Sequence, residues 1–425
     1  MLYAPAILIA RALRVAVRFV RPGGGSALPG LLLSKMAPRL LDKVLGSFPE
    51  GVVVVTGSAG KSTTTKMLVA IARAHGKTVF TNPSTANIKQ GFFSSIVVSS
   101  NLAGRIAGDM AILEMDEGHA AEILGRIKTR QVTLLNVLED QLDRFVDPSF
   151  VATKLLKAAQ SAQSALIVNA DDQNLLHLLD GNTAGLAEIS WFGIDSAVES
   201  SHSKRGLGEA PTYLADLARP AVQSEVTALV GRHATVSSPL GEHDFDLPNR
   251  GLHFALDAVA AFESARRLLA ADFDADLAAG VLNELPPVFA RGEIAEVNGV
   301  PVEFNLVQNP TSFQLNLDNL DAKLDRVLVA VGRDVHDPSW LWTVDFSGLS
   351  HADVVTGYNA AEIAARLHVA GVKLGFVEED IATAWDAFMA LPEPVNGIRT
   401  VLFSADVMRR LRRHLGFTDP EAVER

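Results

Sequence analysis

Short apolar runs rich in β-branched residues alternate with stretches of helical spacing along most of this chain. After residue 50 the runs occupy 52–55, 78–80, 111–113, 132–137 and 166–168. Runs of this length between helical stretches are typical of parallel strands that helices cover on both faces. The pattern predicts an α/β fold with a mainly parallel sheet and ligands bound at the carboxyl ends of its strands.

A second series of the same kind follows a less regular region. From 200 to 248 the periodicity weakens and turn residues increase, which predicts a short strand-rich segment or an irregular insertion. Helical spacing returns at 252–269, and strand-like runs follow at 327–331, 354–356 and 401–403. We therefore expect an N-terminal helical segment 1–45, a central α/β domain 46–295 and a C-terminal α/β domain 296–425.

The N-terminal segment 2–20 is apolar but carries Arg11, Arg14 and Arg18 on one helix face. Three cations inside the hydrocarbon cost too much for a membrane-spanning helix. Two alternatives remain. We favour a helix packed on the next domain with its arginines in water over a basic amphipathic helix lying on anionic lipid.

Composition narrows the classes of function. Lys and Arg number 38 against 49 Asp and Glu, and the net charge of -11 has the wrong sign for binding a nucleic-acid backbone. The chain has no Cys, which excludes disulfides, thiolate zinc sites and a Cys nucleophile of its own. We expect a protein of the reducing cytoplasm.

A glycine-rich loop follows the first strand-like run, and a helical pattern follows the loop. Residues 56–63 read TGSAGKST. A loop between strand and helix aims backbone N–H groups at phosphate oxygens, while Lys61 reaches the β- and γ-phosphates and the Ser62 hydroxyl can ligate Mg²⁺. The sequence predicts ATP binding by Gly57, Ser58, Gly60, Lys61, Ser62 and Thr63.

Acidic residues cluster where the third run ends. Glu114 closes the run at 111–113, and Asp116 and Glu117 follow it. Carboxylates at a strand end near a phosphate loop suit Mg²⁺, although such a cluster taken alone is more often a helix cap. The cluster and the Ser62 hydroxyl are therefore candidate ligands for Mg²⁺.

The loop is compressed, with Gly57 only three residues before Gly60, and in this it resembles the loop of the Mur ligases and folylpolyglutamate synthases. Further stretches resemble the MurT type of Mur ligase in particular. They are NVLEDQLDRF at 136–145, FARGE at 289–293, LVQNPTSF at 306–313, DVHDPSWLW at 334–342 and GYNAAE at 357–362. The resemblance implies a Mur ligase central P-loop ATPase domain joined to a C-terminal Rossmann-like domain.

The resemblance also implies roles for single residues. Glu114 matches the glutamate whose Mg²⁺ bridges ATP and the substrate carboxylate, and Lys154 stands where many Mur ligases carry a carbamylated lysine. Asn169 lies in a strand-end motif near the nucleotide, and Arg291 would reach its phosphates. Asn82, Ser84 and Asn87 match a stretch that faces the phosphates or the substrate.

The implied reaction converts a carboxylate to an acyl phosphate and then, with ammonia, to an amide. By resemblance, the carboxylate is the α-carboxyl of D-glutamate in lipid II and the product is D-isoglutamine. Because this chain has no Cys, ammonia would come from a GatD-type glutamine amidotransferase partner. Asp337 matches an aspartate proposed to complete that partner's Cys and His triad. The amphipathic alternative for 2–20 would place the complex at the inner face of the plasma membrane.

Departures from the family leave other functions open. The four-cysteine zinc ribbon of many MurT proteins is missing, so the region 200–245 must fold without zinc. The motif at 251–257 replaces two asparagines, and Gln308 replaces a lysine. The alternatives are an amino acid ligase of the folylpolyglutamate or general Mur type, and a non-catalytic nucleotide-binding subunit that regulates a partner. Trp340 and Trp342 are expected in the core.

Overall fold

The computed structural model describes residues 3–20, 28–83, 87–138, 148–202, 207, 210, 212, 214–286, 290–320 and 324–417. The described strands form two sheets, one of nine strands and one of six. Each sheet is covered by helices, as the alternating pattern predicts. Among the described residues, no helix is long and apolar enough to cross a membrane.

The first sheet is built from β1 Val52–Thr56, β2 Val79–Phe80, β3 Met110–Glu114, β4 Thr129–Leu134, β5 Ala162–Asn169, β6 Glu188–Ile194, β7 Ser224–Val230, β8 His233–Ser238 and β9 Gly241–Asp246. Their order is β2-β3-β1-β4-β5-β6-β7-β8-β9. Neighbours are parallel from β2 to β7, and β8 and β9 are antiparallel additions. The region 200–248 thus contains strands that extend the sheet.

The helices described in this part are α1 Ala4–Val20, α2 Leu28–Met36, α3 Leu40–Leu45, α4 Lys61–Ala74, α5 Lys89–Ser99, α6 Glu117–Leu124, α7 Pro148–Ala159, α8 Gln173–Leu179, α9 Ser196–His202, α10 Leu252–Leu269 and α11 Ala275–Glu284. Because successive strand residues point to opposite faces, Val53 and Val55 pack with α4, α10 and α11. Val52 and Val54 pack with α1, α2, α3 and α5 on the other face.

The second sheet is built from β10 Arg291–Val297, β11 Val300–Leu306, β12 Val327–Ala330, β13 His351–Thr356, β14 Lys373–Glu378 and β15 Arg399–Phe403. Its order is β10-β11-β15-β12-β13-β14. Only the β10–β11 pair is antiparallel. The helices around it are α12 Pro310–Asp318, α13 Ala360–Val369, α14 Ile381–Met389 and α15 Ala405–His414.

Arg11 of α1 does not lie in water as expected. The helix packs on the first sheet through Ala6, Ile7 and Ala10. The Arg11 guanidinium donates to the carbonyl oxygens of Val97, at 2.9 Å, and Ser100. These carbonyls stand at the C-terminal end of α5, where a helix attracts a cation. Arg11 therefore caps a neighbouring helix.

Candidate functional site

The phosphate loop joins β1 to α4, as predicted. Gly57 and Gly60 have φ values of +138° and +81°. A Cβ on Gly57 would lie 3.0 Å from the backbone nitrogen of Asn136, and one on Gly60 would overlap the Asp257 carboxylate. Only glycine adopts such a left-handed, crowded backbone without strain. The sequence motif is thus explained by local geometry.

The segment after β4 holds this loop in place. The strand was predicted to run to residue 137, but it ends at Leu134 and the chain turns along the loop. The Asn136 Oδ1 atom accepts from the Ala59 N–H at 2.8 Å, and its carbonyl accepts from the Ser58 N–H at 3.0 Å. The Ser58 hydroxyl accepts in turn from the Leu138 N–H at 3.1 Å. Asn136 fixes the shape of the loop.

The first turn of α4 is suited to phosphate. Its N-cap is Gly60, which offers no side-chain cap, and no acidic residue stands in the first turn. The first N–H groups of a helix have no partner within the helix, so an anion at this end satisfies them and the helix dipole together. Thr63, in the same turn, has a buried hydroxyl without a hydrogen-bond partner among the described residues. These features fit a nucleotide phosphate.

Lys61 lies between the loop and α6. Its ammonium donates to the carbonyl oxygens of Gly57 at 2.5 Å and Ser58 at 2.9 Å. It also lies 3.5 Å from the Glu117 carboxylate, and both side chains are largely buried. A phosphate group bound at the loop would draw on the same ammonium.

Glu114 stands beside the phosphate loop because β3 pairs with β1. In that pairing Val55 lies opposite Glu114. Glu114 is buried, and its Oε1 accepts from the Asn87 side chain at 3.1 Å. The Asn82 side chain bonds both the N–H and the carbonyl of Glu114, at 3.0 and 3.1 Å. Asn82 and Asn87, both predicted at the site, therefore position the predicted metal ligand.

The donor set can be compared with what Mg²⁺ requires. In the part of the chain that the structure describes, no group of three or more His, Asp or Glu residues could hold a metal by itself. Mg²⁺ in nucleotide sites needs no such group, because one or two protein ligands combine with phosphate oxygens and waters. The Ser62 hydroxyl and the Glu114 carboxylate are oxygen donors of the right kind. They fit a metal that arrives with its nucleotide.

A third strand end contributes Asn169 and the two aspartates that follow it. Asn169 is buried, donates to the Leu135 carbonyl at 3.0 Å and accepts from the Asp171 N–H at 3.0 Å. Asp172 is fully buried and accepts from the N–H groups of Val137 at 2.6 Å and Leu175 at 3.0 Å. Burial raises the pKa of Asp172 to about 6. Asn169 thus braces the segment that shapes the phosphate loop.

Other predicted residues are less well defined by the structure. Lys154 is half-buried on α7, which packs against α6. Arg291 begins β10, but its side chain lies outside the described residues, as do Ser84 and the stretch 139–147 with most of the central motif. Their roles stay predictions.

Asp257 is a neighbour of the loop that sequence reasoning missed. It was noted only as a departure from a family motif. In the structure it is buried on α10 against Gly60, and its Oδ1 accepts from the Thr64 hydroxyl at 3.3 Å. The sequence does show an acidic residue among the mostly apolar residues of α10. The contact of Asp257 with the phosphate loop, however, is visible only in the folded structure.

Asp337 lies in the loop that follows β12, an interior strand of the second sheet. Asp337 is exposed and caps the 3-10 helix Pro338–Trp342 by accepting from the Ser339 N–H at 2.9 Å. Hydrogen bonds from the Ser339 side chain and backbone lower the pKa of Asp337. Asp334, three residues earlier, instead accepts from the Ser404 hydroxyl at 2.7 Å. Asp337 is therefore the carboxylate that another chain can reach.

The two tryptophans of this loop differ. Trp340 packs edge-on against Phe313 with ring centres 6.3 Å apart, as expected of a core residue. Trp342 is 56% exposed, so the expectation that it lies in the core is wrong. The Arg366 guanidinium lies 5.5 Å from the Trp342 ring centre and holds it at the surface.

Two family models match this chain. The Mur ligase middle domain model matches residues 55–265, and the MurT ligase C-terminal model matches residues 306–396. The first match contains the phosphate loop and Glu114, and the second contains Asp337.

Curated relatives agree with these matches over most of the chain. The MurT subunit of the glutamine-hydrolysing lipid II isoglutaminyl synthase of Streptococcus pneumoniae is 26% identical over 380 residues, which are 83% of this chain and 83% of that protein. The MurT subunit of the same enzyme in Staphylococcus aureus is 23% identical over 412 residues, covering 89% and 91%.

Solved structures share the fold. MurF ligase from Thermotoga maritima in complex with ADP has a TM-score of 0.66 at 18% identity and covers 90% of this chain and 83% of its own. Folylpolyglutamate synthase from Mycobacterium tuberculosis, complexed with ADP and AMPPCP, has a TM-score of 0.62 at 15% identity and covers 97% and 100%. The predicted α/β Mur ligase fold is confirmed.

Proposed function

The chain belongs to the Mur ligase family with a C-terminal domain of the MurT type, and from this premise we propose that it is the ATP-using subunit of an amide-forming ligase. The observation that supports this most directly is the uncapped, glycine-bounded loop at the start of α4, with Glu114 on the adjacent strand. We propose Gly57, Ser58, Gly60, Lys61, Ser62, Thr63, Asn169 and Arg291 as the nucleotide-binding residues.

The carboxylate is proposed from the relatives. Both MurT relatives are named as subunits of a lipid II isoglutaminyl synthase. We therefore take the α-carboxyl of D-glutamate in the lipid II stem peptide as the acceptor and D-isoglutamine as the product. Gln308 and the replaced asparagines at 251–257 make the acceptor the part of the proposal that most needs a direct assay.

The reaction proceeds in two balanced steps. A carboxylate oxygen attacks the γ-phosphorus of ATP, the bond to the β-phosphate oxygen breaks, and an acyl phosphate and ADP form. Ammonia then attacks the acyl carbon, the carbon–oxygen bond to phosphate breaks, and the nitrogen loses a proton, leaving amide and inorganic phosphate. The chain contributes mostly positioning and charge neutralisation.

Each residue has a task in these steps. Lys61 neutralises charge on the transferred phosphoryl group, and the N–H groups of the first turn of α4 orient it. Glu114 and Ser62 would hold Mg²⁺, which would neutralise negative charge on the nucleotide and on the carboxylate. Lys154 contributes to the part of the site where the substrate binds. Asn87 keeps the Glu114 carboxylate facing the loop.

A partner supplies the ammonia. The relatives are named as subunits of a glutamine-hydrolysing enzyme, and this chain has no Cys to hydrolyse glutamine itself. We propose a GatD-type glutamine amidotransferase, whose histidine Asp337 orients. A lipid-linked acceptor would place the pair at the inner face of the plasma membrane.

Amide formation by the purified chain tests this proposal. The chain is incubated with ATP, Mg²⁺ and ammonium, together with either lipid II or a folyl-glutamate acceptor. In separate reactions an amino acid replaces ammonium. The products are identified by mass spectrometry. An amidated lipid II, with one ADP per amide, is expected. Joining of an amino acid would favour the Mur or folylpolyglutamate alternative, and nucleotide binding without turnover would favour a regulatory subunit.

A further inference from the structure

In the part of α1 whose side chains the structure describes, which ends at residue 17, the exposed residues are all apolar. They are Pro5, Leu8, Ile9, Ala12, Val15 and Ala16. At 100° per residue they fall within an arc of about 120°, opposite the buried side. Leu8 and Val15 are 51% and 56% exposed. Such a stripe on a helix already packed by its other face is a surface built for a second contact.

The second helix, which packs against α1, adds exposed apolar residues and positive charge to this segment. On α2, Leu28 and Met36 are exposed beside Lys35, and Arg39 is exposed just after the helix. Residues 1–41 contain Arg11, Arg14, Arg18, Arg21, Lys35 and Arg39 and no Asp or Glu, whereas the whole chain has a net charge of -11. The positive charge is thus segregated to the segment that carries the exposed apolar stripe. Apolar area flanked by cations matches an anionic lipid surface.

The same two helices are tied to the candidate active site through α5. Arg11 of α1 binds the carbonyls at the C-terminal end of α5. Gly30 of α2 approaches the N-terminal part of α5 so closely that a Cβ there would overlap Gln90 and Ser94. α5 begins two residues after Asn87, which bonds Glu114. α5, which is about 16 Å long, therefore links α1 and α2 to the residue that bonds Glu114.

We propose that the N-terminal docking face, formed by Leu8, Ile9, Ala12, Val15 and Ala16 of α1 with Leu28, Lys35 and Met36 of α2, binds the surface of an anionic membrane. The apolar stripe enters the interface while Lys35 and Arg39 meet the head groups. This is not the face of α1 that carries its arginines. The inference deepens the proposed function, because a lipid-linked acceptor lies in that surface and α5 holds the ligase site beside it.

Vesicle flotation with the full chain tests the docking face. Vesicles containing phosphatidylglycerol are compared with vesicles of phosphatidylcholine alone. We expect the wild type to float with the anionic vesicles and the double variant Leu8→Asp/Val15→Asp to bind them about tenfold or more weakly. The matched control is Val369→Asp/Val395→Asp, which places two aspartates at positions 67% and 90% exposed elsewhere and should float like the wild type.

A second variant distinguishes weaker membrane binding from misfolding. Lys35→Glu/Arg39→Glu leaves the apolar stripe intact and should weaken binding to anionic vesicles while leaving the unfolding temperature unchanged. Equal flotation of all variants would overturn the proposal. So would sedimentation showing that the wild type self-associates through this face and that only the Leu8→Asp/Val15→Asp variant is monomeric.

Amide formation on detergent-solubilised acceptor separates this inference from the proposed function. The docking variants should keep wild-type turnover there, because the face holds no residue of the ligase site. A wild type that floats but forms no amide would reject the ligase and keep the docking face. A wild type that forms amide but does not float would reject the docking face.

Discussion

The ammonium of Lys61 lies 3.5 Å from the Glu117 carboxylate and 2.5 Å from the carbonyl oxygen of Gly57. The lysine of the phosphate loop is thus held between its own loop and α6, the helix that follows β3. Anything that binds the loop and draws the ammonium away also acts on α6. The two halves of the site, loop and carboxylates, are coupled through this one cation.

Replacement of Lys61 tests the nucleotide loop. Lys61→Ala should lower ATP turnover on the order of 10³-fold, because the charge that stabilises the transferred phosphoryl group is lost. Lys66→Ala, on the same helix, is the matched control and should retain turnover. ADP release is the measurement, and equal turnover by the two variants would remove Lys61 from the reaction.

Replacement of Glu114 tests the metal ligand. Glu114→Gln keeps the shape and the Asn87 contact but removes the charge, so we expect turnover to fall on the order of 100-fold and the Mg²⁺ concentration for half-maximal rate to rise. The control is Glu122→Gln, at a half-exposed carboxylate paired with Lys89. A Mg²⁺ titration identical to that of the wild type would contradict the assignment.

Replacement of Asp337 tests the partner. If Asp337 orients a histidine of the glutaminase site, Asp337→Asn in the reconstituted complex should lower glutamine-dependent amidation by up to about 10⁴-fold and keep activity with ammonium. Asp380→Asn is the matched control, because Asp380 is also an exposed helix cap beside the second sheet. Asp334→Asn is tested in parallel.

Three outcomes of that experiment are distinct. Wild-type use of glutamine by the Asp337 variant would make Asp337 only a loop residue. Loss of both nitrogen sources would assign it to the ligase site or to folding. If only Asp334→Asn loses glutamine-dependent amidation, Asp334 and not Asp337 is the residue that orients the partner's histidine.

Stability should depend on pH through Asp172. Its pKa is raised by burial to about 6 from 3.8, so folding favours the protonated form. Its stabilising contribution is therefore complete below 3.8 and is lost as the pH rises through about 6. Relative to Asp172→Asn, the free energy of unfolding of the wild type should fall by about 2 kcal/mol between about pH 4 and about pH 7. A difference that stays constant in urea titrations would contradict this.

Much of the fold could be predicted because its signals are local. β1 has the buried valines expected of a central strand, and α10 spans 252–269 as its spacing predicts. β14 was missed because it is an edge strand with half-exposed residues and no continuous apolar run. The end of β4 was misplaced because Asn136 leaves the sheet to bind the phosphate loop, a tertiary interaction that periodicity does not carry.

Some residues of the candidate site could be predicted from the sequence, and others could not. Lys61 and Glu114 follow from motif chemistry, since a glycine loop and a strand-end carboxylate have local signatures. Asp257 does not, because it reaches Gly60 from nearly 200 residues away. Arg11 has a helix-face pattern that suggested solvent or lipid, but the carbonyls it caps belong to α5. The spacing of arginines on a helix face does not show which neighbouring groups they bind.

The central claim is that this chain activates a carboxylate as an acyl phosphate, and transfer of an oxygen isotope tests it most directly. The acceptor is prepared with ¹⁸O at both oxygens of the α-carboxyl of its D-glutamate and incubated with the chain, ATP, Mg²⁺ and ammonium. Because the carboxylate oxygen that attacks phosphorus leaves with it, each amide formed should yield one inorganic phosphate carrying one ¹⁸O. Amide formed with unlabelled phosphate, or phosphate released without amide, would contradict the account.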